Sequence, residues 1–502
     1  MIIALLYTLV FAAFIFFYKQ NSFFGLPRWV FVLAFLAKIM SGFFLTSIYS
    51  SHYTDRSTAD IFKYYDDAKI IYNALPDRPM DYASMITGIG NDNSYYDTTY
   101  YTNMNHWYKR FDLGNYNDNH TIIRFNALIM PLSFGSFHVH TVFMCMLSFI
   151  GLFALFYFFR LLFPQKTILI YLVVFFIPSV LFWGSGVLKE GLLLFSIGGL
   201  LLSFYKLFIL KTRKLIFYFL FVAALLLVLI NKNYLLLVLI TPLLSFYFSH
   251  HFKIKHVFLF YICTHILALA LLYGGAKYIV GISPENTIVQ RQKEFINLAN
   301  GGIFLISNQY LTRIEPEQSA LLINYNDSVK IKTGSNYLTW RLTNLDDTIR
   351  VTNSTESLMY KVISKLPRAG SLLQNKPIEY NFISFVRFAP QALYNCLLQP
   401  NIIKAKSIVE RIAALENLLL ILFIVICFYF GDFKNSNKPM FYFSMFSVLL
   451  LFLMIGYTTP VAGALVRYKM PLLPLMLMMG VNVLNLKRIS LPSVHIFSKK
   501  TL

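Results

Sequence analysis

Apolar runs of about 16–22 residues succeed one another along most of this chain. A helix that crosses a bilayer needs ~20 such residues. The runs predict helices near 2–17, 29–49, 138–159, 167–183, 191–210, 215–230, 234–249, 257–279, 412–430, 440–457 and 470–486. The expected fold is an all-α polytopic membrane protein with about eleven transmembrane helices. Two long polar stretches interrupt them, at 50–137 and 280–411. They divide the chain into a transmembrane module over 1–279 that carries the first stretch, a loop subdomain over 280–411, and closing helices over 412–502. In the second stretch, 286–300 reads as a helix. Residues 320–352 alternate polar with apolar in a way that suits short strands, hence a small α+β unit. Asp346-Asp347 reads as a turn.

Composition agrees with a membrane protein. Of 502 residues, 57% are hydrophobic and 13% charged. The net charge of +21 lies largely in short loops: Lys211-Thr-Arg213-Lys214, Lys253-Ile-Lys255, Lys434 with Lys438, and Lys487-Arg488. Threading the eleven helices puts these on one side with Lys19, Arg28, Arg160 and Lys166, which marks that side as cytoplasmic. Both long stretches and the short turns 184–190, 231–233 and 458–469 then face outward. Such charge suits an anionic lipid surface. No basic soluble module is present to hold a nucleic acid, so none is expected as a partner. Met1–Phe17 lacks a basic leader and a small-residue cleavage site and reads as a retained helix. The four cysteines show no pairing or metal spacing, and three lie inside predicted helices. No cofactor is expected, and no spacing indicates a divalent metal. A Gly-rich phosphate loop is also missing, which argues against an ATP-driven pump.

Charges inside apolar sequence are costly and point to function. Gly184-Ser-Gly-Val-Leu-Lys189-Glu190 follows Pro178 and Trp183 and precedes an apolar run. A lysine at a helix start makes an anion site, and Glu190 can pair with Lys189 or favour the helix dipole. Tyr457-Thr-Thr-Pro460…Gly463…Arg467-Tyr468-Lys469-Met-Pro471 reads as a broken or re-entrant segment. Its Arg467 offers a planar fork for phosphate and Lys469 adds a point charge. Lys189, Glu190, Arg467, Tyr468 and Lys469, with Arg387 near the end of the second stretch, are the candidate substrate-binding residues. The bland alternative for the basic ones is interfacial anchoring.

The first stretch is rich in Asp and holds no Glu. A helix over roughly 58–75, capped by Ser57 or Thr58, places Asp60, Tyr64 and Asp67 on one face and Asp66 about 100° away. Asp60, Asp66 and Asp67 are the candidate catalytic carboxylates; the other Asp residues read as turns and caps. The helix stripe of Ile61, Tyr64, Tyr65, Ala68, Ile71, Tyr72 and Leu75 can lie on a membrane or against the bundle. Tyr95-Tyr96, Tyr100-Tyr101 and His106-Trp107-Tyr108 suit a membrane interface or stacking on sugar rings.

Asp60-Ile-Phe-Lys-Tyr64, with Asp66-Asp67 as a competing match, in an acidic first outer loop and with basic residues at later outer turns, resembles the GT-C superfamily of polytopic glycosyltransferases. Here one extra helix precedes the shared module. The resemblance implies a transferase that takes a sugar from a polyprenyl-phosphate-linked donor to a glycan, lipid or protein acceptor. It places the active site on the extracytoplasmic face of a bacterial inner (plasma) membrane and implies a catalytic Asp in that loop. An O-antigen-type polysaccharide polymerase or ligase shares the helix number, the long outer loops and outward arginines. A transporter would use the breaks at Pro178 and Pro460 and intramembrane Lys38 as a path.

Overall fold

The computed structural model describes residues 1–18, 25–52, 56, 59–108, 117–281, 283–307, 310–325, 328–341, 344–352, 359–373 and 377–489. The chain runs through α1 (Ile2–Phe17), α2 (Arg28–His52), α3 (Asp60–Asn73), α4 (Pro79–Thr87), α5 (Ser94–Thr99), α6 (Asn119–Ser133) and α7 (Phe137–Leu162). Next come α8 (Thr167–Phe175), α9 (Pro178–Trp183), α10 (Lys189–Phe204), α11 (Leu215–His251), α12 (Val257–Gly274) and α13 (Pro284–Asn300). A β region follows, then α14 (Phe382–Leu398), α15 (Ile408–Tyr429), α16 (Lys438–Thr458), α17 (Ala462–Lys469) and α18 (Leu473–Val483).

Among the described residues, eight helices are long and apolar enough to cross a membrane. Three features separate this from the expected eleven. At 16 residues, α1 is short for a span. The predicted helix 167–183 breaks at Phe176–Ile177, so α8 has 9 residues and Pro178 opens α9, where its missing N–H costs nothing. Finally, 215–230 and 234–249 form one 37-residue run with a non-helical Lys232 (φ −149°, ψ 82°). That run doubles back. The Phe208 ring lies 5.5 Å from Phe221 and 6.3 Å from Tyr247. In a straight helix those two residues would stand ~39 Å apart. Lys232 is therefore the tip of a helical hairpin.

Close backbone contacts fix the bundle. At Gly151 and Gly198, α7 and α10 touch so closely that a Cβ on Gly198 would stand 1.9 Å from the Gly151 carbonyl oxygen. A Cβ on Gly42 would stand 2.6 Å from the Ser185 carbonyl, which locks the Gly-Ser-Gly turn to α2. The turn before α17 is lashed to residues 371–373 of the second polar stretch: Leu373 N–H donates to Pro460 O at 2.7 Å and Ala462 N–H to Ser371 O at 2.9 Å. From there α17 and α18 follow each other through one 3-10 turn, so the expected re-entrant segment is a short helix that leads straight into the last one.

The first polar stretch folds into helices with their own core. Ile61, Tyr64, Tyr65, Ala68 and Ile71 of α3 pack with Ile122, Ile123, Ala127 and Met130 of α6. Of the two surfaces open to that stripe, it is protein that covers it. The aromatic run corrects a second expectation. Tyr101 stacks on Trp107 (4.2 Å) and Trp107 on His120 (3.9 Å), while Tyr95 and Tyr100 hydroxyls donate to Asp81 at 2.7 and 2.8 Å. Tyr96, Tyr100, Tyr101 and Trp107 are thus a buried internal staple, whereas Tyr95 and Tyr108 stay exposed.

The second stretch carries β1 (Gly302–Ser307), β2 (Tyr310–Ile314), β3 (Leu322–Tyr325), β4 (Ser328–Ile331), β5 (Tyr337–Arg341), β6 (Asn344–Val351) and β7 (Met359–Leu366). They form one antiparallel sheet in the order β3-β4-β7-β1-β2-β5-β6. The predicted strands over 320–352 lie within it, β1, β2 and β7 extend it, and the helix expected at 286–300 is α13. Asp346-Asp347 lies inside β6 rather than in a turn.

Candidate functional site

The site lies where the first polar stretch meets the ends of three apolar segments. Asp60 occupies the first turn of α3, after an uncharged Ala59 cap; the expected caps Ser57 and Thr58 fall outside the described residues. Lys189 and Glu190 open α10. Lys232 is the hairpin tip, and Arg467 lies in the last turn of α17. Residues 60, 189, 232 and 467 are thus gathered at one end of the bundle.

Arg467 is the hub. Its Nε donates to Glu190 Oε1 at 2.6 Å and its Nη2 to Glu190 Oε2 at 3.1 Å, a bidentate fork. Its Nη1 reaches Asp60 Oδ2 at 3.2 Å, and its guanidinium lies 5.6 Å from the Trp183 ring centre. Glu190 is nearly sealed, with 3% of its side chain exposed, whereas Asp60 keeps 37%. Asp60 Oδ1 also contacts His106 Nε2 at 3.3 Å.

A second cluster adjoins the first. Asp118, just before α6, bridges Lys189 (2.9 Å) and Lys232 (2.7 Å). The Tyr64 ring lies 5.7 Å from the Lys189 ammonium and the Tyr468 ring 5.8 Å from that of Lys232. Three carboxylates (Asp60, Glu190, Asp118) therefore balance three cations (Lys189, Lys232, Arg467). Burial opposes ionisation of Asp118, but the two ammonium groups outweigh it and hold its carboxyl well below the usual range. Burial likewise opposes ionisation of Asp60. The hydrogen bond from His106 and the charge of Arg467 win, and Asp60 too is held well below the usual range.

The remaining sequence candidates lie elsewhere. Asp67 is an anchor: its carboxylate accepts the backbone N–H groups of Asn105 and His106, both at 2.7 Å. Burial raises its pKa despite those bonds. Asp66 forms an exposed fork with Arg56 at 2.9 Å. Glu190 pairs with Arg467 and not with its neighbour Lys189. Lys469 corrects the idea of one basic cluster on α17. Two residues past Arg467 it points the other way, buried, and donates to Cys396 O (2.7 Å) and Asn417 Oδ1 (2.6 Å). Arg387 is exposed on α14, with no hydrogen bond to the cluster among the described residues.

Three members were missed as candidates. Lys232 was marked by the polar triplet Asn231-Lys232-Asn233 between apolar halves. Asp118 was marked by the run Asn117-Asp118-Asn119-His120 ahead of α6, and read as a turn. His106 was hidden inside an aromatic run. Among the described residues no three His, Cys, Asp or Glu side chains come together as a metal set.

Fold and site define an α-rich protein with apolar helices of membrane-spanning length and a compensated ion-pair cluster at one bundle end. No protein-family model, curated protein or solved structure matches the chain.

Proposed function

We propose that this protein is an integral membrane glycosyltransferase that moves a sugar from a polyprenyl-phosphate-linked donor to an acceptor on the extracytoplasmic face. One observation carries the reading: a part-exposed carboxylate, Asp60, is tied by Arg467 to a buried group of cations at the end of an apolar helix bundle. Glycosyl transfer from a lipid phosphate needs these components together. The leaving phosphate gathers negative charge, which preset cations stabilise strongly where water is scarce. Lys189, Lys232 and Arg467 supply three such charges. Before substrate arrives, Asp118, Glu190 and Asp60 neutralise them, so the cations need no free counter-ion while they wait. A donor phosphate would compete with Asp118 for the two lysines. The acceptor hydroxyl would approach from the open side of Asp60.

In this reading the cluster faces away from the cytoplasm of a bacterial inner membrane, because the basic short loops lie at the other end. Single cysteines placed at the exposed Asp92 and Thr333, beside the buried Ser335, in a cysteine-free background, should react with an impermeant reagent from outside. Cysteines at Thr212 and Asn435 should react only after permeabilisation. Reversed labelling would overturn the orientation.

The O-antigen-type polymerase or ligase uses related carriers, but it would draw mainly on Arg467 and leave Asp60 dispensable. The binding of Asp60 to Arg467 favours the transferase. The test is purified protein in lipid nanodiscs with a panel of polyprenyl-phosphate sugars and a mixed acceptor pool, read by mass spectrometry of products. Asp60→Asn should transfer sugar far more slowly while the protein still folds and binds donor lipid. Wild-type turnover in that variant would sink the reading.

A further inference from the structure

We infer that His106 is the catalytic base that takes the acceptor's proton, and that Asp60 positions it. The inference rests on the glycosyl-transfer reading and changes which residue does the proton chemistry.

Both oxygens of Asp60 are engaged, Oδ2 by Arg467 and Oδ1 by His106. A carboxylate held this firmly in its ionised form is a weak proton acceptor. Its contact with His106 also fixes the imidazole. A carboxylate can only accept, so Nε2 carries the proton, and in the neutral ring Nδ1 is then a bare acceptor. Nδ1 makes no hydrogen bond among the described residues, and the ring is 19% exposed. The rest of the residue is clamped. Its ring stacks on Tyr64 at 5.0 Å, its backbone N–H donates to Asp67 Oδ2, and its carbonyl accepts from Asn117 (3.3 Å) and Asn119 (3.1 Å). A carboxylate on one ring nitrogen, and a second nitrogen that makes no hydrogen bond among the described residues, are what a positioned general base requires.

The step balances without a co-reactant. The acceptor oxygen bonds to the anomeric carbon, and the bond from that carbon to the phosphate oxygen breaks. The electron pair leaves with the phosphate, which faces Lys189, Lys232 and Arg467. The acceptor's proton passes to His106 Nδ1, giving an imidazolium beside Asp60, and returns to solvent after product leaves. Among the described residues the charged and titratable groups that touch His106 or its partners are Asp60, Tyr64 and Asp67 of α3 and Arg467 of α17, while Asp118 and His120 flank Asn117, which holds the His106 carbonyl.

The experiment compares wild type, His106→Gln, His106→Ala and Asp60→Asn in nanodiscs, with pH–rate profiles and donor-lipid affinity measured separately. Base catalysis contributes typically about 10²–10⁴-fold. His106→Gln should bind donor like wild type, turn over that much more slowly and lose the rising limb of kcat/KM with pH. Added imidazole should restore part of the rate to His106→Ala. Asp60→Asn should lower kcat more than it weakens donor-lipid binding, because the imidazole loses the contact that orients it. Wild-type turnover in His106→Gln, or a rising limb that persists there, overturns the inference while the transferase reading stands. If wild type transfers no sugar from any carrier in the panel, the transferase reading itself has failed.

Discussion

The two ends of the helix bundle treat their basic residues differently. At one end Lys189, Lys232 and Arg467 are paired with carboxylates from three separate segments. At the other, Lys166 donates to the Val481 and Asn482 carbonyls at 2.6 and 3.0 Å, and Arg488 to Gly431 O. Cations that cap helix ends need no designed counter-charge, because the last carbonyls carry the negative end of the helix dipole. They fit anchoring and topology. Largely buried cations and carboxylates in equal number are costly to desolvate, and replacing such pairs by apolar residues often stabilises a protein. Their presence argues for a purpose beyond stability. Lys469 sharpens the contrast: it shares α17 with Arg467 yet binds only neutral oxygens.

The comparison breaks most visibly at Arg467. Arg467→Ala would leave Glu190 buried and uncompensated, a cost of ~3–5 kcal/mol. It should lower the unfolding midpoint in detergent and abolish transfer. Arg467→Lys should recover part of both, because one ammonium cannot reproduce the fork. A thermal midpoint unchanged in the alanine variant would show that the cluster is not closed. Gly198→Ala should come next, at ~1–3 kcal/mol or more, because its methyl would meet the Gly151 backbone rather than a movable side chain. That separates α7 from α10 and should shift the Lys189–Glu190 end with it.

Asp118 gives a pH-dependent version. Its carboxyl is held below its unfolded value, so its contribution to stability is complete above about pH 4 and is lost as pH falls below that. Asp118→Asn should be less stable at neutral pH and lose less on acidification, measured by midpoints from about pH 5 down to about pH 2. Equal slopes in the two proteins would contradict the bridge. At the small end, Asp66→Ala removes only an exposed pair with Arg56, worth at most ~1 kcal/mol, and should leave transfer unchanged. Lys166→Ala should likewise spare transfer.

Much of the architecture was legible because membrane helices write themselves as long apolar runs, and the hairpin tip as a polar triplet. Residues 189, 190 and 467 could be picked out because charge deep in apolar sequence has few bland explanations, and Asp60 because it opens a helix in the Asp-rich stretch. Asp118, Lys232 and His106 could not be selected so readily. Asp118 and His106 sit in ordinary polar or aromatic surroundings, Lys232 reads as a plain turn between two apolar runs, and only tertiary contact shows the partner of each. Helical phase correctly joined Asp60 with Asp67, but not that one faces Arg467 and the other ties down a backbone. Lys469 lies two residues past Arg467 and so faces away from it on a helix, but a segment read as broken offered no helical phase to apply.

The most direct test of the central claim is a cryo-electron microscopy map of the protein in nanodiscs loaded with polyprenyl phosphate. The account predicts phosphate density against Lys189, Lys232 and Arg467, with Asp118 displaced from at least one lysine and the lipid tail running into the bilayer. Lipid phosphate bound only at the opposite end, beside Lys166 and Arg488, with the Asp118 bridge intact, would contradict it.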